Sequence, residues 1–208
     1  MTDVAPLTWA SPSFPIGAFA WSGGLEAAVA RGAVDGEAAL AEWLGASLLG
    51  GTIRTDALFV ALAAGADNPS ELDVLAVALA GSPARERELR ALGTAFARAT
   101  TAWRGGAPLP AAYPVAFGTL ARAHAINAEK AALLFAHGAI LNTVAAAQRL
   151  LPLGQAAAMR VMAGAEPALL RLADGAARAT IEDIGSATPL ADLCALAHPA
   201  LEPRLFRS

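Results

Sequence analysis

Cys194 and His198 stand four residues apart, so a helix would carry both on one side. A soft thiolate beside an imidazole suits nickel, zinc or copper. Against a metal site, two ligands are an incomplete set, Pro199 biases His198 away from helical geometry, and a cysteine inside "ADLCALA" reads as a small core residue. Other chemically able residues are scattered. His124 and His137 lie far from His198 in sequence, and neither Ser13 nor Ser22 has a basic partner marked beside it that would make it a nucleophile. No GxxxxGKS or GxxxxGKT phosphate loop, GxGxxG turn, HExxH or GxSxG pattern occurs. A catalytic site would have to be assembled by folding alone.

Composition narrows the classes further. Cys194 is the single cysteine, which rules out an internal disulfide and favours a reducing compartment. The stretch "MTDVAPLTWASPSF" has neither the positive end nor the continuous apolar run of a secretory signal, so a cytoplasmic location is expected. Mean hydropathy is high at +0.48. The richest stretch, residues 131–148, is nevertheless broken by His137, Asn142, Thr143 and Gln148, and much of its apolar character is alanine, so no membrane span is expected. With a net charge of -3 and basic residues scattered along the chain, a nucleic-acid surface is not supported. Few charges and abundant apolar faces point instead to a protein partner or to self-association.

The elements that must position these residues are helical. No stretch alternates apolar and polar residues with β-branched enrichment, whereas helical spacing recurs throughout, so the fold is expected to be all-α, a single-domain bundle of roughly eight to ten helices over residues 1–208. Expected helices cover 17–31, 36–64 with a break near Gly50 and Gly51, 70–80, 83–103, 115–125 and 127–150. Ser82 with Pro83, and Asn127, supply the N-terminal caps of two of them. Residues 104–114 read as a loop. Pro152 ends one helix, the next restarts after it, Pro167 is expected to open another, and a last short helix begins near Thr188 and Pro189. The helix over 127–150 is apolar on nearly every face and is expected at the centre of the core, with a subunit contact as the alternative. The run "RERELR", residues 85–90, reads as a solvated face whose mixed-sign pairs are worth about 0.2 to 0.5 kcal/mol each, with a partner surface as the alternative.

Residues 11–26, "SPSFPIGAFAWSGGLE", pose a local problem, because Gly23 and Gly24 fall inside an expected helix where each glycine costs about 1 kcal/mol relative to alanine. On a helical wheel Trp21, Leu25, Ala28 and Val29 form a core stripe, with Phe19, Gly23, Glu26 and Ala30 opposite. That second face is either a contact patch or a second buried side. Gly23→Gln is expected to raise helix stability and to leave partner binding unchanged or stronger.

The same segment closely resembles the N-terminal signature of the UreF family of urease accessory proteins, typically Ser-Pro-Ser-Leu-Pro-Val-Gly-Ala-Phe-Ser-Tyr-Ser-Gln-Gly-Leu-Glu. "RLLPLGQAAAMR" is similar to that family's Lys-Leu-Val-Pro-Leu-Gly-Gln block, "EDIGSATPLADLCALAH" to its Asp-Ile-Gly-Ser-Ala-Thr-Pro-Leu segment, and "RLFRS" to its final residues. The likeness runs nearly the length of the chain. Pro12, Pro15, Gly17, Phe19, Ser22, Gly24, Leu25 and Glu26 match the first block, and Pro152, Gly154 and Gln155 the second. Arg149 stands where lysine is usual, and Arg204, Leu205, Phe206 and Arg207 match the tail. Departures are Ala20 for serine, Trp21 for tyrosine, Gly23 for glutamine, and "PALEP" after His198 where the family has His-Glu-Thr-Gln-Tyr-Ser.

The resemblance implies a non-enzymatic, homodimeric, all-α chaperone of the cytoplasm. It would bind the accessory protein UreD, also called UreH, and through that complex recruit or gate the GTPase UreG on apo-urease during nickel insertion. No cofactor would be bound directly, since nickel and GTP are handled by the partner proteins, and neither nucleic acid nor membrane is a partner. The resemblance also implies partner-binding roles for Phe19, Ser22, Glu26, Arg149, Gln155, His198, Arg204, Leu205, Phe206 and Arg207, with residues 199–208 as a partner-binding tail. A small helical metal-binding protein or metalloenzyme using Cys194 and His198 is the alternative.

Overall fold

The computed structural model describes residues 4–207. Its elements in chain order are α1 (Ala5–Trp9), α2 (Leu25–Ala30), α3 (Glu37–Gly50), α4 (Thr52–Gly65), α5 (Ser70–Ala78), α6 (Pro83–Ala99), α7 (Thr101–Arg104), α8 (Tyr113–Ala123), α9 (Ala128–Leu150), α10 (Gln155–Ala176) and α11 (Pro189–Ala197), with short 3-10 turns at Ala18–Ala20, Ile181–Asp183 and His198–Ala200. No strand occurs among the described residues. Setting aside the single-turn pieces α1 and α7, nine α-helices remain among the described residues, within the expected number.

Helix starts follow local chemistry. Ser82 Oγ accepts from the Arg85 amide at 3.1 Å with Pro83 just inside α6, and Asn127 Oδ1 accepts from the Lys130 amide at 2.8 Å at the start of α9, so each cap satisfies a donor the helix cannot. At Ile181–Asp183 a capping box pairs Thr180 with Asp183.

The bundle is built around α9 and α4. Helix α4 packs on α8 and α9, α10 packs on α9 and α3, α6 lies on α8, and α11 crosses α2. One core cluster threads Leu40, Leu44 and Leu48 of α3, spaced one turn apart, against Leu58 of α4 and Ile140 and Val144 of α9. A second is aromatic: Phe96 stacks on Phe117 at 5.7 Å, and Phe117 meets Phe135 edge-on at 5.4 Å. The stretches Glu37–Gly65 and Ala128–Leu150 are long and apolar enough to cross a membrane by composition, and half of the 18-residue window that qualifies in each is buried inside the bundle. In α9 only Glu129, Lys130, His137 and Arg149 are well exposed, which accounts for its apolar faces.

Three expectations need correction. Residues 17–31 are not one helix, because the chain leaves the 3-10 turn at Ala20, is extended at Trp21 and turns again before α2. Pro167 opens no helix but lies inside α10, at an exposed position where the carbonyl its ring leaves unpaired can reach water. Buried Val161 on one side of it and Leu169, Leu172 and Ala173 on the other hold the helix continuous. Pro199 does not turn His198 out of the helical region either; φ -55° and ψ -39° carry the chain from α11 into the next 3-10 turn.

Candidate functional site

Gly23 and Gly24 adopt φ of +59° and +84°, two successive left-handed residues that reverse the chain just before α2. At Gly24 a side chain is excluded twice over. The conformation is costly for any L-residue with a Cβ, and that Cβ would stand 3.0 Å from the Ala195 amide nitrogen of α11. Gly23 has open space around its Cα, so only its conformation asks for glycine. The turn sets the rotation of α2, which buries Leu25, Glu26, Ala27 and Ala28, while Ser22 Oγ accepts from the Glu26 amide at 3.4 Å.

Glu26 is thereby aimed into the protein, 6% exposed. Its Oε2 lies 2.6 Å from His198 Nε2, Oε1 accepts from the Leu205 amide at 2.6 Å, and Oε2 also accepts from the Phe206 amide at 3.2 Å. Burial pushes the carboxyl up, but the Leu205 amide, His198 and the Phe206 amide together outweigh it and hold Glu26 below the usual carboxylate range. One acid from residues 11–26 therefore fastens the tail.

The rest of the tail is tied to the same segment. Phe206 is buried at 4% exposure, with the Arg149 guanidinium 4.1 Å over its ring. Arg149 also donates to the Phe19 carbonyl at 2.7 Å, and the Arg207 amide donates to the Ala20 carbonyl at 2.8 Å. What remains on the outside is Phe19 at 44% exposure, Leu205 at 63%, and the guanidinium groups of Arg149, Arg204 and Arg207.

Comparison with known proteins finds relatives over nearly the whole chain. The UreF family model matches residues 34–166. A protein of Rhizobium leguminosarum bv. trifolii called urease accessory protein UreF is 42% identical over 208 residues, covering 96% of this chain and 93% of its own. Its namesake in Rhodopseudomonas palustris is 40% identical over 221 residues, covering 97% and 92%. The chain belongs to the UreF family of urease accessory proteins. The family model stops short of both segments joined by Glu26, whereas the UreF relatives align over nearly the whole chain.

Nine of the ten residues that the UreF resemblance singled out divide into two sets. Ser22, Glu26, His198 and Phe206 are buried, whereas Phe19, Arg149, Arg204, Leu205 and Arg207 form an exposed rim above them. Gln155 lies apart, exposed at the first position of α10, and its side chain makes no hydrogen bond to this group. Of the two readings of the face carrying Phe19 and Glu26, Glu26 takes the buried one and Phe19 the exposed one, because the glycine turn resets the rotation between them. Cys194 and His198 are both buried, His198 Nε2 is engaged by Glu26, and no group of three metal-ligating side chains occurs among the described residues.

A second polar centre was missed in the sequence. Arg85 of α6 forms an ion pair with Asp56 of α4 and lies 3.0 Å from Glu88, so "RERELR" is not wholly a solvated face. Glu86 and Arg90 do pair on the outside, at 3.0 Å. Arg85, Asp56 and Glu88 line a cavity of about 110 Å³ together with Tyr113, Asn142 and Thr143. Burial pushes both carboxyls up and Arg85 offsets this only in part. Burial also opposes the Arg85 charge, but Asp56 and then Glu88 outweigh it and lift the guanidinium above its ordinary value. A signal existed: Ala84, Glu88, Leu92 and Phe96 repeat at every fourth position, which aligns Glu88 with the apolar stripe.

Proposed function

We propose that the protein is a non-enzymatic urease maturation factor, dimeric and cytoplasmic, that binds UreD/UreH and through it recruits or gates the GTPase UreG on apo-urease while nickel is inserted. Nickel and GTP are handled by those partners, and this chain binds neither. The exposed rim of Phe19, Arg149, Arg204, Leu205 and Arg207 is the docking face, and the buried Ser22, Glu26, His198 and Phe206 hold that face in shape. Gln155 is a separate contact at the start of α10.

The observation that carries this proposal is the fastening of residues 205 and 206 to Glu26, which joins two family-like segments into one surface. Membership of the UreF family and the absence of recognisable catalytic motifs in the sequence support it. Gel filtration of the purified protein mixed with UreD/UreH tests it, with co-elution expected and urease activation in cells expected to require this gene. Separate elution, together with unimpaired urease activation after deletion of the gene, overturns it.

A further inference from the structure

Between α6 and the tail runs a surface groove of about 590 Å³ lined by Trp21, Arg87, Ala91, Arg204, Phe206 and Arg207. Three of its six lining residues are arginines and none is acidic. Arg87, Arg204 and Arg207 form no ion pair among the described residues. The Arg207 guanidinium lies 6.0 Å over the Trp21 ring, so its charge is held above an aromatic wall. Three uncompensated cations gathered in one groove, on a protein whose net charge is -3, concentrate positive potential at a single place.

We infer that this groove docks an acidic segment of a protein partner, with the exposed Arg87, Arg204 and Arg207 receiving its carboxylates above a floor made by the buried Trp21 and Phe206. Guanidinium forks match carboxylates in two parallel hydrogen bonds. A nucleic-acid backbone would ask for a longer basic track than three residues on an acidic protein. The inference rests on the partner-docking function proposed above and adds the chemistry of the partner and a contact, Arg87, that the family blocks do not contain.

Two measurements separate the groove from that function. The first is fluorescence anisotropy of a labelled hexaglutamate peptide with the full-length protein at 50 and 300 mM NaCl. Binding is expected at the lower salt, at least fivefold weaker at the higher, and at least fivefold weaker in Arg87→Glu and Arg204→Glu, since exposed charges are screened beyond a Debye length of about 10 Å at 0.1 M. The second is the affinity of the same variants for UreD/UreH and for the UreD/UreH–UreG assembly, where a tenfold loss is expected for Arg87→Glu. Arg90→Glu, on the same helix but paired with Glu86, should stay within twofold of the parent in both. Partners that bind Arg87→Glu and Arg204→Glu as tightly as the parent overturn the groove and leave the function standing. Peptide binding that depends on Arg87 in a protein that binds neither partner does the reverse.

Discussion

Replacing Glu26 by alanine should release the tail. The carboxylate takes two contacts at 2.6 Å, from the Leu205 amide and to His198, and a longer one at 3.2 Å from the Phe206 amide. Hydrogen bonds to a charged group are worth about 1.5 to 3 kcal/mol each. Counting only the two short ones at the lower value gives about 3 kcal/mol, which is roughly a 150-fold rise in the opening equilibrium at about 1.4 kcal/mol per decade. Amide hydrogen exchange is the assay, and the Arg207 amide is the informative probe. It donates to the Ala20 carbonyl, not to Glu26, so its protection falls only if the tail itself comes away. Exchange at Arg207 about 100-fold faster in Glu26→Ala is the expected result, with Glu26→Gln intermediate because an amide keeps the shape but not the charge. If Arg207 keeps its parent protection while only Leu205 and Phe206 exchange faster, the tail is held by Phe206 burial and Arg149, and the role given to Glu26 is wrong.

Acid should act in the same direction. The Glu26 carboxyl is held below its ordinary value, so its stabilisation is complete above about pH 4.5 and is lost as pH falls through the folded value; exchange of the Arg207 amide, protected from pH 7 to 5 and losing protection as pH falls below about 4.5, checks this. At the buried ion cluster, Arg85→Met leaves two carboxylates without their cation and should cost about 3 kcal/mol in urea unfolding, whereas Glu88→Gln removes surplus negative charge and should be neutral or stabilising. Gly24→Ala combines a left-handed cost of roughly 1 to 2 kcal/mol with the close approach to Ala195 and should lower stability by more than 2 kcal/mol, measured by thermal unfolding. Gly23→Gln should lose roughly 1 to 2 kcal/mol and gain no helix, because residue 23 is left-handed and lies outside any helix.

Signals contained within a turn or two were legible in the sequence. The caps at Ser82 and Asn127, the break at Gly50 and Gly51 and the buried character of α9 follow from residue type and spacing and stand in the structure as expected. What escaped depends on partners far along the chain. The wheel left the face of Glu26 open between contact and burial because its three partners lie 172, 179 and 180 residues away. Arg85 and Glu88 looked solvated because Asp56, on another helix, is invisible to helical spacing within "RERELR". The glycine pair misled in another way, since a periodic wheel assumes one helix and two left-handed residues end that assumption. Pro167 shows the limit of a strong local breaker when packing on both sides outweighs it.

The fastening of the tail to Glu26 also bears on how the chain is made. Residues 17–26 leave the ribosome early, yet the groups that satisfy Glu26 are synthesised some 180 residues later. Until then a carboxylate destined for the interior has no partner there, and α2 cannot settle in its final environment at low cost. A chain truncated before residue 198 should therefore expose residues 17–26 to protease while α3 to α10 remain folded. The rim of Phe19, Arg149, Arg204, Leu205 and Arg207 therefore assembles only once residues 198–207 have been synthesised.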